Sequence, residues 1–424
     1  MTSAAKHHKP EPHAQGTMHR TQTVLKGIVR WTYRSIMMLA TVALLLLFLA
    51  AAFSDHVSPL LFHYISFLGI LFPVFLVAVL LWTVLLFALR HWILGALALA
   101  ALLVAHEPVW RYCPLHFGPR AAVTASTDEN GAARPVHVDT LRVLTYNTCA
   151  MGQTHLSRPD EPIPVLDVIR QSGADVVCLQ EYAFTLSAGG HTEQRLRAAL
   201  GQQYPHYDYL RYHYRKAMGI ALFSRYPIRV RERIDTSKDR YFASMYYELE
   251  LPDGRRLAVV NNHLQSNAIK MADRRLADDM VEHFVADSLQ RVREGMLRQL
   301  GRGFKARATQ ANQIARFLEA KRERRREAGQ AEMIPTLVCG DFNDTPISYC
   351  YQTIRSGLSD AWEDAGLGPG ITYNRHHFWF RIDHILHSAA LRPLDIRVLS
   401  DVKHSDHYPM LATFQLLPQG AAAD

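Results

Sequence analysis

The chain has 424 residues, 49% of them hydrophobic, and a formal net charge of +8. That length admits two or three domains, and the positive charge favours an anionic partner without choosing among nucleic acid, anionic lipid and phosphorylated molecules. The five cysteines are odd in number, irregularly spaced and contain no CxxC pair, so they indicate neither a disulfide framework nor a zinc site.

Residues 1–30 are expected to form a disordered basic N-terminus, rich in His, Pro and small polar residues at its start. Residues 31–110 then read as a membrane anchor of about three transmembrane helices. The apolar runs are Met37 to Phe53, Ile65 to Leu89 and Trp92 to Ala105, against the roughly 20 residues that a spanning helix needs. The third is short unless it continues through Pro108 to Trp110. Lys26, Arg30 and Arg34 precede the first run and Arg90 follows the second, whereas Ser54 to Pro59 carries no Lys or Arg. This asymmetry places the N-terminus in the cytoplasm. With the third run spanning, the rest of the chain lies on the extracytoplasmic (periplasmic) side of the cytoplasmic membrane; with that run re-entrant or interfacial, it lies in the cytoplasm. Residues 111–138 turn polar and read as a linker.

From residue 139 to 424 strand-like and helix-like segments alternate, and Asp253-Gly254 marks a hairpin turn. Mixed strands and helices of this kind imply a layered α/β protein. Residues 268–331 interrupt the alternation as a helical, Arg-rich insertion that ends in a charge run at Lys321 to Arg326. Such a run suits either a solvated helix end or a basic arm over the site entrance that touches headgroups or a polyanion.

Five buried-looking strands end in polar groups. Leu141 to Thr145 leads to Tyr146-Asn147, and Asp175 to Leu179 leads to Gln180-Glu181. Leu257 to Val260 leads to Asn262-His263-Leu264, and Thr336 to Cys339 leads to Gly340-Asp341-Phe342-Asn343-Asp344-Thr345-Pro346. Ile382 to Leu386 holds Asp383, and Ser405-Asp406-His407 follows. Apolar strands that deliver carboxylates, amides and histidines from their ends point to one metal-dependent site. Asp341 and Asn343, two apart, share a face while the strand stays extended. Gln180 is expected to point away from Glu181, and Cys178 and Cys339 to be small core hydrophobes.

Taken in this order the motifs resemble the endonuclease/exonuclease/phosphatase superfamily, which includes pancreatic-type deoxyribonucleases, apurinic endonucleases, inositol-polyphosphate phosphatases and neutral sphingomyelinases. The resemblance covers roughly Asp139 to Leu416 and implies a four-layer α/β sandwich, two packed β-sheets flanked by helices. It implies that Glu181 is the main ligand of Mg²⁺ (or Mn²⁺), helped by Asn147 and Asp406. It further implies that Asp341 contacts the nucleophilic water or leaving oxygen, that Asn343 and His263 donate to the phosphoryl group, and that His407, oriented by Asp383, is the general base.

The expected function is therefore a membrane-anchored phosphoesterase cleaving a P–O bond by in-line attack of water. Its substrate would be a phospholipid headgroup, nucleic acid or inositol phosphate, and no obligate protein partner is evident. A nuclease is the alternative within this chemistry, and a silent membrane scaffold the alternative outside it. The complete constellation disfavours the scaffold, and apolar runs without internal charge offer a transporter no pathway.

Overall fold

The computed structural model describes residues 12–116, 140–152, 154–213, 216–234, 242–266, 286–330, 334–375 and 378–418. Most of the expected linker, the first part of the insertion, Tyr214, Arg215, His376 and His377 lie outside the described residues. The N-terminal helices are α1 (Pro12–Ala52), α2 (Pro59–Phe62), α3 (Ile65–Ile70), α4 (Phe72–Ala88), α5 (Trp92–Val104) and α6 (His106–Tyr112). The segment expected to be disordered is thus helical from Pro12 onward. The second apolar run is not one helix either. It breaks at Leu71, and Pro73, which has no N–H to bond back to the Gly69 carbonyl, stands in the first turn of α4.

Two compact units result. The first comprises residues 1–49 and 74–105, the second residues 50–73 and 106–424. In the first, Met37, Leu86 and Ala98 form an apolar contact cluster, and Trp82 Nε1 donates to Thr41 Oγ1 at 3.0 Å. Among the described residues one helix segment, Thr23–Ala52, is long and apolar enough to cross a membrane, against the three spans expected; Phe72–Ala88 is a shorter apolar helix, and Trp92–Val104 with His106–Tyr112 passes only as a bent pair, a broken span or a re-entrant loop.

The second unit holds two six-stranded mixed sheets. One has the order β13 (Leu391–Val398), β14 (Met410–Leu416), β1 (Thr140–Asn147), β2 (Val176–Ala183), β4 (Lys216–Ser224), β3 (His206–His213), the other β5 (Ile228–Ile234), β6 (Ala243–Glu250), β7 (Arg256–His263), β8 (Thr336–Asp341), β12 (Asp383–His387), β9 (Ser359–Asp360), while β10 (Tyr373–Arg375) and β11 (Phe378–Phe380) pair separately. The strands that carry the site are β1 (Thr140–Asn147), β2 (Val176–Ala183), β7 (Arg256–His263), β8 (Thr336–Asp341) and β12 (Asp383–His387). Their side chains alternate between two apolar layers, as the two-residue period of a strand requires. Val143, Cys178, Val259 and Cys339 fill the core between the sheets. Leu144, Val177 and Leu179 face outward under α7 (Pro164–Ser172) and α8 (Glu193–Gly201). Val260, Val338 and Leu386 pack beneath α9 (Ala286–Glu327) and α10 (Tyr349–Arg355). The result is the expected four-layer sandwich. Burying each Leu, Val or Phe in it contributes roughly 1.5–3 kcal/mol.

Each sheet contains one parallel pair, β1 with β2 and β7 with β8. Parallel neighbours end at the same edge, so the polar residues that terminate these strands gather at one end of the sandwich.

Candidate active site

Strand register assembles half of the site. On β8, Asp341 is paired with His263 of parallel β7 and with Asp383 of antiparallel β12. Three chemically active residues therefore stand in a row across one sheet. Gly340 makes the row possible. Its φ of +130° is closed to most side chains, and a Cβ there would lie 2.0 Å from the Asn262 carbonyl oxygen.

The other sheet supplies Asn147 and Glu181. The β2–β4 register shifts between Leu179 and Tyr182, and Glu181 takes φ +49°, a left-handed conformation unusual for Glu. This irregularity turns neighbouring residues in opposite senses. Gln180 is fully buried and its Nε2 donates across the sheets to Asn261 Oδ1 at 2.7 Å. Glu181, its side chain 31% exposed, instead reaches the site, 3.8 Å from His263 Nε2. A left-handed Glu costs on the order of 1–3 kcal/mol.

Asp341 is the hub. Its Oδ2 accepts from Asn147 Nδ2 at 2.9 Å and Asn343 Nδ2 at 3.1 Å, and its Oδ1 accepts from the Asn343 backbone N–H at 2.8 Å. His263 Nε2 and His407 Nε2 approach the same Oδ2 at 3.6 and 3.8 Å. Burial pushes Asp341 up to about 6; the Asp383 carboxylate adds to the rise, while His407 and His263 oppose it.

His407 Nδ1 donates to Asp383 Oδ2 at 2.8 Å, which leaves Nε2 facing Asp341. Burial alone would lower the imidazole pKa, but Asp383 and Asp341 outweigh it and push it up to about 10. Asp383 is steadied through its backbone N–H, which donates to Thr372 Oγ1 at 3.1 Å. The Ser405 hydroxyl donates to the Asn147 carbonyl at 2.8 Å and accepts from the His407 backbone N–H at 3.1 Å, tying the loop of His407 to the end of β1.

The Tyr212 hydroxyl lies 2.7 Å from His263 Nδ1. Burial raises the tyrosine pKa, so Tyr212 keeps a proton it can donate, leaving the ring proton of His263 on Nε2, toward Asp341. Burial lowers the His263 pKa, with His407 adding to the fall and the two aspartates opposing it.

Asn147, Glu181, His263, Asp341, Asn343, Asp383 and His407 are thus brought together. Asp406 is not: although beside His407 in sequence, its carboxylate accepts from Arg375 Nη1 at 3.0 Å. His407 and Arg375 hold its pKa below the ordinary value despite the opposing effect of burial. Sequence reasoning passed over the Gln180–Asn261 link, the role of Thr372, and Arg307 on α9. Arg307 Nε donates to Asp344 Oδ2 at 2.9 Å and Nη1 to the Gln265 carbonyl at 2.9 Å. An arginine inside an Arg-rich run carries no local signal that it alone is buried.

The donor set suits a hard divalent cation. Single ligand atoms of Asp341, Asp383 and His407 lie within 4.8 Å of one another. Asp383 Oδ1 is buried without a hydrogen-bond partner, and Glu181 is raised chiefly by burial. Clustered carboxylate oxygens are what a hard cation such as Mg²⁺ or Mn²⁺ prefers.

A profile of the Endonuclease/Exonuclease/phosphatase family matches residues 144–407, and one of Domain of unknown function (DUF8431) matches residues 34–112. No curated protein matches the chain. An endonuclease/exonuclease/phosphatase from Beutenbergia cavernae is similar in structure at 19% identity and TM-score 0.44, over 67% of this chain and 74% of that chain. A mannosyl-6-phosphatase from Bacteroides thetaiotaomicron is similar at 20% identity and TM-score 0.42, over 65% of this chain and 99% of that chain. The human Nocturnin catalytic domain with bound sulfate is similar at 18% identity and TM-score 0.45, over 66% of this chain and 95% of that chain.

Proposed function

This chain belongs to the Endonuclease/Exonuclease/phosphatase family and hydrolyses phosphate ester bonds; from that premise we propose that it is a membrane-anchored, divalent-metal-dependent phosphodiesterase. The observation that carries the proposal is the convergence on one carboxylate, Asp341, of Asn147, His263, Asn343 and His407 from four separate segments.

Glu181 and Asn147, with Asp341 beside them, would hold Mg²⁺ (or Mn²⁺), and Asp406 would have to leave Arg375 to join them. The cation supplies Lewis-acid polarisation of the phosphoryl group. Asp341 accepts the proton of the attacking water, and His407, kept protonated by Asp383 and Asp341, holds its Nε2 N–H toward Asp341. Asp341 lies closer to neutrality than an ordinary aspartate, and Asp383 keeps the His407 ring turned so that Nε2 meets it. His263 and Asn343 offer N–H donors to the phosphoryl oxygens as negative charge builds there.

Thr23–Ala52 acts as the anchor, and α4 and α5 extend it. The charge asymmetry around these helices supports an extracytoplasmic catalytic unit.

The test uses the full chain in detergent or nanodiscs with Mg²⁺, Mn²⁺ or EDTA, and bis-aryl phosphodiester, plasmid DNA and phospholipid as substrates. Metal-dependent turnover that falls at least roughly 100-fold in His407→Ala is expected, as for loss of a positioned acid–base group. A folded, metal-binding protein with no turnover on any phosphate ester overturns the proposal.

A further inference from the structure

The chain passes between its two units at Leu49–Ala50, Pro73–Val74 and Ala105–His106. On the catalytic side these junctions are built into the enzyme. Ser54 Oγ donates to the Ile347 carbonyl at 3.4 Å, and a Cβ on Gly69 would lie 2.6 Å from the same oxygen. Phe67 meets Phe304 of α9 edge-on at 5.1 Å. Arg111 Nη1 donates to buried Asp55 at 2.5 Å, Arg111 Nε lies 3.6 Å from Glu363, and the Arg111 carbonyl accepts from Arg381.

Ile347 follows the loop that carries Asn343, and Arg381 precedes Asp383 by two residues. The junctions therefore pack on the two loops that present active-site residues. Within the catalytic unit, the segments that lead to the apolar helices thus adjoin the loops of Asn343 and Asp383.

Outward from these contacts the surface is apolar. Leu61 is 87% exposed, Phe62 53% and Tyr64 57%. Beside them the His63 ring lies against Gly301 of α9, and Arg302 and Lys305 of the same helix are exposed. A cluster of bare apolar side chains flanked by cations fits an interface between hydrocarbon and anionic headgroups. Chain continuity names the occupant, because this cluster lies in sequence between the apolar segment Thr23–Ala52 of α1 and the apolar helix α4. A nucleic acid would want cations and stacking rings in a groove, whereas the most exposed residue here is a leucine.

We propose that residues 60–64, with Arg302 and Lys305, seat in the bilayer surface and hold the active-site mouth against it, so that the substrate is a phosphate ester of a membrane lipid. This rests on the phosphodiesterase and anchor reading above and adds the source of the substrate. The lipid headgroup enters sideways from the bilayer and need not leave it. The clamp of Asp55, Arg111 and Glu363 keeps the seating rigid.

The experiment compares the full chain with Leu61→Asp and Arg302→Glu variants, each reconstituted with Mg²⁺ in vesicles that contain an anionic glycerophospholipid. Release of phosphorylated headgroup is measured beside turnover of plasmid DNA and of a water-soluble bis-aryl phosphodiester, which also reports folding. The expected result is release of headgroup by the full chain, with a lipid-to-soluble activity ratio that drops roughly tenfold in either variant, the scale set by losing one surface contact with the bilayer. Turnover of the soluble ester or of DNA without lipid turnover, or a ratio unmoved by both variants, overturns the inference and leaves the phosphodiesterase reading standing. Absence of turnover in every arm removes that reading and the inference with it.

Discussion

His384 shows how burial separates residues that are adjacent in sequence. Its neighbour Asp383 faces the site, while His384 turns into the layer beneath α10, against Phe342 and Tyr351. Its Nε2 donates to the Asp344 carbonyl at 3.0 Å, and its Nδ1 is buried without a partner. Burial first, then the nearby Arg381 charge, pushes its pKa down to about 4. The folded value lies below the unfolded one of about 6.5. The unfolded chain therefore binds the extra proton between those values, and stability present above pH 6.5 is lost as pH falls toward 4. The gap is worth roughly 3 kcal/mol. Urea unfolding between pH 7 and 4.5 is expected to show wild type losing about 2–3 kcal/mol more than His384→Gln. Equal slopes would mean that His384 does not titrate as described. Tyr212 works by the same logic on the other side of the site, where burial keeps its proton available to His263.

The element that most shapes the site from outside is α9, the described part of the Arg-rich insertion. Its basic C-terminal turn is occupied by ion pairs: Lys321 with Glu232 at 2.5 Å and Arg325 with Glu248 at 3.0 Å. That favours a docked helix over a free basic arm for this stretch. Further back, Arg307 is fully buried and holds both Asp344, from the loop after Asn343, and the Gln265 carbonyl, from the loop after His263. Gln310 Oε1 accepts from the Gln265 backbone N–H at 2.9 Å, a second tie to the same loop. Replacing Arg307 by Met leaves the buried Asp344 carboxylate without its cation, a change that costs about 3–5 kcal/mol when one partner of a buried pair is lost. Arg307→Met is expected to lower the thermal midpoint and to reduce turnover through slack in Asn343 and His263. An unchanged midpoint would show that α9 is dispensable to these loops.

At the scale of the whole molecule, the catalytic unit does not begin after the linker. Residues 50–73 and 106–112 belong to it, through Asp55, Phe67 and Arg111. A fragment spanning 139–424 lacks all of them, bares Phe304 and Ile347, and removes the carbonyl that accepts from buried Arg381. Scanning calorimetry in matched detergent is expected to place its midpoint on the order of 10 °C below that of the full chain, as a deficit of a few kcal/mol implies for a domain of this size. Coincident midpoints would show the junction segments to be mere tethers. The strands at 141–145, 175–179, 257–260, 336–339 and 382–386 were legible from the sequence because apolar runs of strand length must be buried. The polar residues that end them mark the site because a carboxylate or histidine there has no packing reason to be present. Which of those residues meet was decided only by tertiary structure. Register sets His263 and Asp383 beside Asp341, a backbone irregularity separates Gln180 from Glu181, and Arg375 draws Asp406 aside. The burial of Arg307 and the seating of 50–73 on the enzyme were equally hidden. A sequence pattern reports which residues want to leave water, whereas pairing, register and counter-ion choice depend on neighbours distant along the chain.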